Sequence, residues 1–439
     1  MVLLNTALKL LKKNKGQNLF FFLSSFATST MVFVLCNMLN NTTFSQLTLE
    51  DMTFIDQSRY YMRNPVLDLS TFSFIMFIAL VYSLVLNYYT SQVFTNNYRK
   101  SITTLLLIGF SSPQASTVLL LQYSILMFPA MILGFISSRF IILPAIDSFI
   151  YNSFGITGVE PGIIYYGTYA IYFSLVASII TMFVLVQKGQ IESRTITDLL
   201  HKRVRTNLNF KNKIIERIVA RNYPLFYLLG MGMFVFNTNA KILPCLLIGC
   251  YACFGLMFFT IPADCKIIKS KKPTVETYLV LSEYVTNLRE SFLSCLMLMI
   301  SVLVSVVLVC QENVSEISCI MSVFALASVI IMVCVSLFSQ LFMGVEEREE
   351  NAYREMCMGI DKNRIMAIST KELVLFYMTL ILVPCVFCTA IIIPSVLYGT
   401  LMLKYGIIFM LLVIIPLLIT MVLTIIVFNN RIRRRIWKS

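Results

Sequence analysis

The chain has 439 residues, of which 58% are apolar and 13% charged, with a formal net charge of +13 and a mean hydropathy of +0.81. Soluble globular domains carry about 25% charged residues, so this balance excludes one. Apolar runs recur along the whole length, each close to the ~20 residues a helix needs to cross a hydrocarbon core of about 30 Å. Helices close their own backbone hydrogen bonds in lipid, so the expected fold class is an all-α polytopic membrane protein.

Taken from the N-terminus, the runs predict ten transmembrane helices, at 18–36, 72–94, 115–138, 162–186, 221–239, 242–262, 291–311, 319–343, 372–396 and 403–428. The first lacks a small-x-small cleavage site and reads as a retained helix. The fifth carries Pro224 and ends near Asn237, Asn239 and Lys241; with the sixth it reads as a tight hairpin. If the first 17 residues are inside, only Arg59, Arg63, Arg139, Lys241 and Lys404 of the 35 Lys and Arg fall outside. The other 30 are inner, among them Lys9, Lys12, Lys13, Lys15, nine from Lys188 to Arg221, and the tail RIRRRIWKS. That positive-inside bias places both termini in the cytoplasm, and it explains the basic charge without a nucleic-acid partner.

Outer turns at 237–241, 312–318 and 397–402 are short; 37–71 and 139–161 are the larger outer segments. Among the inner ones, ITDLLHKRVRTNLNFKNKIIERI from Ile196 reads as a basic amphipathic helix suited to anionic lipid or to a docking partner. Its His201 reads as a surface residue. Cys250 with Cys253 and Cys385 with Cys388 have CxxC spacing inside predicted spans and read as small packing residues. Cys310 and Cys319 flank a short outer turn and are candidates for a bridge.

Two inner loops resemble each other. NYRKSITTLLLIGFSSPQASTVLLLQ (Asn97 to Gln122) follows the second span, and NAYREMCMGIDKNRIMAISTKE (Asn351 to Glu372) follows the eighth. Each has a Tyr-Arg pair (Tyr98-Arg99 with Lys100, and Tyr353-Arg354), then a glycine (Gly109, Gly359), a polar turn and an apolar helix. From each glycine to Gln122 or Glu372 is 13 residues. Both loops join an inward-going span to an outward-going one, a parallel repeat. Gly109 and Gly359 are suited to breaking a short interfacial helix, and Ile102, Leu105, Leu106 and Ile108 give the first such helix one apolar side. Glu372 is expected in the first turn of its helix, where the dipole favours an acid, or paired with Arg354 or Arg364.

The chain has no G-x-x-x-x-G-K-[ST] phosphate loop, no H-E-x-x-H zinc motif and no nucleophile triad in a defined setting. Acids inside spans are scarce, and Asn87 and Gln122 are uncharged, which disfavours a proton- or sodium-coupled carrier.

YRKSITTLLLIGFSSPQ…LLLQ and YREMCMGIDKNRIMAISTKE resemble the permease module of FtsX-like (MacB-type, type VII) ATP-binding-cassette transporters. Two copies in ten spans, with TITDLLHKRVRTN and TYLVLSEYVTNLRESFLSC, are similar to the bacitracin-export permeases of low-GC Gram-positive bacteria. The resemblance implies two FtsX-like units, helices 1–4 and 7–10, joined by a helix pair. The domains are then 1–190, a linker and helix pair at 191–290, and 291–439. It also implies a separate cytoplasmic ABC ATPase in two copies, which carries the ATP and magnesium; the chain itself carries no cofactor and no catalytic site. Loops 96–114 and 345–371 would couple, with Tyr98, Arg99, Lys100, Gly109, Gln122, Tyr353, Arg354, Gly359 and Glu372 as the coupling residues. Many members of the family confer resistance to cell-wall-directed peptides, and the location the resemblance implies is the bacterial cytoplasmic membrane. Two features depart from that pattern: only CQENVSEISC stands where the subfamily has a large outer domain, and Gln122 and Ser101 replace acids. A second permease that supplies the outer domain, or a sensory role beside a sensor kinase, is the corresponding alternative.

Overall fold

The structure is a computed structural model. It describes residues 2–13, 15–40, 98–154, 161–192, 222–232, 242–271, 273–310, 316–343, 345–397 and 403–438, with 77, 80–85, 87, 90, 91, 94 and 95. The described residues are helices joined by turns, without a strand. Six helices among them are long and apolar enough to cross a membrane: Phe21–Leu39, Ser112–Phe149, Ile248–Ser270, Ser322–Phe342, Lys362–Leu397 and Leu403–Arg434. A pair bent by 69°, Val275–Glu290 with Phe292–Val306, makes a seventh if it is one span, and Tyr166–Thr181 is a shorter apolar helix. The chain is an all-α, multi-pass membrane protein. The segment 193–221, with the basic amphipathic stretch, and nearly all of the outer segment 37–71 lie outside the described residues, as does much of the second and fifth expected spans.

Described residues of 1–45 and 79–207 form one compact unit, and those of 46–78 and 208–439 another. The first contains α1 (Val2–Lys13), α2 (Lys15–Leu39), α3 (Arg99–Leu107), α4 (Ser112–Ser137), a π turn at Ser138–Ile142, α5 (Leu143–Phe154) and α6 (Tyr166–Glu192). Its main packing is α2 on α4, through small residues, as helices in lipid prefer. A Cβ on Gly134 would lie 2.8 Å from the Ser29 side chain, so glycine is what lets the two backbones approach. Ser29 Oγ donates to Met131 O at 3.1 Å and lies 2.6 Å from Tyr172 Oη, which ties in α6. Asn37 fastens the far end of the unit, where its Oδ1 accepts from Thr168 Oγ1 at 3.0 Å and its Nδ2 donates to Ile163 O at 3.1 Å.

The segment 139–161, expected as an outer loop, is helical as far as Phe154. Pro144 stands just after the π turn, inside the continuous helix Ser112–Phe149. Ser138 Oγ, at the π turn, donates to Gly134 O at 2.6 Å and reaches Thr30 O at 3.1 Å. The helix therefore continues past the end expected from hydropathy alone.

The second unit contains a helical segment at 222–232, then α7 (Ile242–Gly255), a π turn at Leu256–Thr260, α8 (Ile261–Ser270), α9 (Val275–Glu290), α10 (Phe292–Val309), α11 (Glu316–Met343), α12 (Val345–Cys357), α13 (Lys362–Leu397) and α14 (Leu403–Lys438). α13 packs on α14 along its length and on α9 near its start. Hydroxyls link the pairs: Tyr377 Oη lies 3.0 Å from Thr424 Oγ1, and Tyr284 Oη 2.8 Å from Thr379 Oγ1. The boundary expected at 290/291 falls at the 69° bend, and packing places α9 with the second unit. Cys310 is a free thiol; the side chain of Cys319 lies outside the description.

Candidate functional site

The two loops fold into the same device. In the first, Gly109 has φ +103°, its N–H donates to Leu106 O at 3.1 Å, and Phe110 N–H donates to Leu105 O at 3.1 Å. In the second, Gly359 has φ +88°, its N–H donates to Met356 O at 3.0 Å, and Ile360 N–H donates to Glu355 O at 3.2 Å. Both are Schellman motifs, in which a left-handed residue ends one helix and satisfies its last carbonyls. The residue after each glycine packs back, Phe110 with Leu105 and Val118, and Ile360 with Ala352 and Ile365. Ser111 and Asp361 then precede α4 and α13; Ser111 forms a capping box in which its N–H donates to Gln114 Oε1 at 3.0 Å.

Counting from each glycine aligns the units side chain by side chain. Thirteen residues on, Gln122 is 1% and Glu372 2% exposed. Gln122 Nε2 donates to Ala7 O of α1 at 3.3 Å. Glu372 Oε1 accepts from Asn287 Nδ2 of α9, so each buried group ties the helix after its turn to another helix, α1 or α9. Eleven residues before the glycines stand Tyr98 and Arg348. Tyr98 Oη donates to Asn18 Oδ1 at 2.6 Å, and Arg348 Nη2 donates to Asn287 Oδ1. An asparagine side-chain oxygen thus receives the same position in both units.

In the second unit the arrangement is charged. Arg348 Nη1 lies 2.8 Å from Glu372 Oε1, with the side chains 13% and 3% exposed. This is a charge contact, without the alignment of a hydrogen bond. Asn287 bridges the pair as donor to the carboxylate and acceptor from the guanidinium, the one amide orientation that satisfies both. The guanidinium carbon also lies 4.9 Å from the Phe428 ring centroid on α14. Four helices, α9, α12, α13 and α14, therefore meet at Arg348.

Several expectations are corrected here. Glu372 does not occupy a first turn: α13 begins at Lys362, ten residues earlier, beyond the reach of the terminal dipole field. Its partner is Arg348 rather than Arg354 or Arg364. Arg354 Nη2 lies 3.9 Å from Glu350 on an exposed face, and Arg364 Nε 3.7 Å from Glu276 on α9. The Tyr-Arg pairs are not equivalent, because Tyr98 is 1% exposed inside an aromatic cluster with Phe94 and Phe21, and Tyr353 is 41% exposed. Arg99 and Lys100 open α3, and their side chains lie outside the description. Of the expected apolar side of α3, Ile102 and Leu105 are buried, but Ile108 is 69% exposed beside Leu107 at 66%. Met358, at the matching tip, is 73% exposed.

Sequence reasoning missed Arg348, Asn287 and Asn18. The signal for Arg348 is helical spacing: Val345, Arg348, Ala352 and Glu355 share one stripe of α12, and its ends are apolar or half-buried. Among the described residues no group of three or more His, Cys, Asp or Glu is placed to hold a metal ion. No family model matches the sequence, and no curated protein matches it.

Proposed function

We propose that this chain is the membrane-embedded permease subunit of an ATP-dependent, ABC-type transporter. In this reading it crosses the bacterial cytoplasmic membrane ten times with both termini inside. It couples ATP hydrolysis on a separate ATPase, two copies of which sit under the two turns, to export or release of an amphipathic or antimicrobial peptide or its lipid-linked target.

The observation that carries the reading is the pair of matched turns. Each is a short helix closed by a glycine and tipped with exposed apolar residues, and the helix that follows it carries a buried polar side chain, Gln122 or Glu372, bonded to α1 or α9. A rigid protrusion on two membrane helices is what a cytoplasmic motor needs in order to push on the bundle, because packed helices move as bodies rather than deforming continuously.

Isolation from native membranes in mild detergent tests it. A Walker-motif ATPase that co-purifies and is stimulated by the chain supports the reading, and a chain that is repeatedly isolated alone contradicts it. The short α10–α11 connection, residues 310–315, favours a second reading as a regulatory subunit that binds an ATPase or sensor kinase without moving substrate. Deletion then alters signalling while peptide tolerance stays unchanged.

A further inference from the structure

A crevice of about 30 Å³ opens between α9, α12, α13 and α14 beside the Arg348–Glu372 pair. Its polar wall carries Arg348 and Glu372 themselves together with Glu283, Asn351, Glu355 and Ser369, three carboxylates against one guanidinium. Arg348 is committed to Glu372 and Asn287, and among the described residues neither Glu283 nor Glu355 has a cationic partner. Burial, and then the nearby Glu283, push the Glu355 carboxyl above the usual range, as two carboxylates facing one space do. Ser369 is 8% exposed and its hydroxyl has no hydrogen-bond partner. A serine inside a helix ordinarily returns its hydroxyl to the preceding turn, as the neighbouring Thr370 does to Met366 O at 2.9 Å. Two unneutralised acids and a free buried hydroxyl around one small space describe a site for a cation with several donors.

We infer that this crevice receives the ε-ammonium of a lysine from the cytoplasmic protein partner. An ammonium is compact, with three rotatable donors, whereas a guanidinium is a wide planar fork; about 30 Å³ holds a group the size of one or two waters. The three donors match Glu283, Glu355 and the Ser369 hydroxyl. Ile365, Ile368 and Ile432 line the rest of the wall and suit the methylene stem that carries the charge. The first unit lacks these acids: Leu105 stands at the position of Glu355, counted from the glycine, and it is buried in an apolar cluster. The lysine therefore engages the second unit alone, so that of two identical ATPase copies only the one beneath that unit is held in this way.

The inference rests on the ATPase-partner reading, and one experiment separates the two. The full-length chain, isolated with its ATPase, is treated with a water-soluble carbodiimide, and the amide cross-links are mapped by mass spectrometry. The expected product joins Glu283 or Glu355 to a lysine of the ATPase. The Glu283→Gln/Glu355→Gln variant is expected to retain about tenfold less ATPase in matched salt, the scale of losing a charge-assisted contact, with an unfolding midpoint no lower than wild type. If the ATPase co-purifies with wild type, gives no such cross-link and stays bound to the double variant, the lysine assignment falls and the partner reading stands. Cross-linking of these acids to an aminophospholipid or to another protein also overturns the assignment. If no ATPase is found, both fall.

Discussion

Arg348 stands eleven residues before Gly359 and Glu372 thirteen after it, yet their side chains meet at 2.8 Å across the turn. Only a chain reversal at Gly359 brings them together, so the buried pair and the left-handed glycine are two parts of one fastening. The first unit makes the same reversal with neutral groups, Tyr98 to Asn18 and Gln122 to Ala7 O. Geometry is shared between the units; charge is not.

Removing one member of the charged pair strands the other in a largely buried setting. Glu372→Gln or Arg348→Gln is expected to lower stability by about 3–5 kcal/mol, while Arg348→Leu/Glu372→Leu together cost far less than the sum of the Leu singles. Unfolding of the detergent-solubilised chain, analysed as a double-mutant cycle, checks this. Strictly additive singles contradict a direct pair.

A Cβ at Gly109 or Gly359 would meet nothing within 4 Å, so any cost of substitution there comes from the backbone. An ordinary L-residue in the left-handed region costs about 1–2 kcal/mol, and Asn less. Gly359→Asn should therefore keep near wild-type stability and ATPase stimulation, whereas Gly359→Val should lose both with membrane insertion intact. Equal behaviour of the two variants contradicts the conformational account.

Gly134 is the opposite case, since its φ is ordinary and its surroundings are full. Gly134→Leu forces α2 and α4 apart at Ser29 and is expected to cost about 1–3 kcal/mol by overpacking. The Tyr172–Ser29 contact goes with it. Unfolding measurements on Gly134→Ala and Gly134→Leu should show a graded loss.

Glu355 predicts a pH dependence. Its carboxyl is raised above the ordinary 4.5 by burial, then by Glu283. The folded chain therefore binds this proton more tightly than the unfolded chain does. That contribution to stability is fully present below the ordinary carboxyl value and is lost as pH rises through the folded one. The difference in unfolding midpoint between wild type and Glu355→Gln should accordingly turn against wild type as pH rises from about 4.5. A difference that is flat with pH contradicts it.

The helical class and the glycine turns were legible in the residues, because apolar periodicity and left-handed glycine have local causes. The partners of Glu372 were not. Arg348 lies in the run VEEREEN, where composition suggests a solvated face, and only its register with Val345 and Ala352 marks it as inward. Asn287 is remote in sequence and reaches Glu372 through the bend after α9. The Tyr-Arg resemblance misled because it matched residue types and ignored register from the glycine: eleven residues separate Tyr98 from Gly109 and six separate Tyr353 from Gly359. Helix ends were misjudged at Lys362 and Phe154, where polar residues extend a helix past its apolar stretch.

The central claim is that both turns face the cytosol and meet a motor protein there. Cys357 is a native exposed thiol beside Gly359, and Leu107→Cys places one at the matching tip. Labelling with a membrane-impermeant maleimide, with Cys357→Ser as the blank, is expected to leave both positions unmodified in intact cells. In inside-out vesicles both should react, and bound ATPase should protect them. Modification of either position in intact cells would contradict the account.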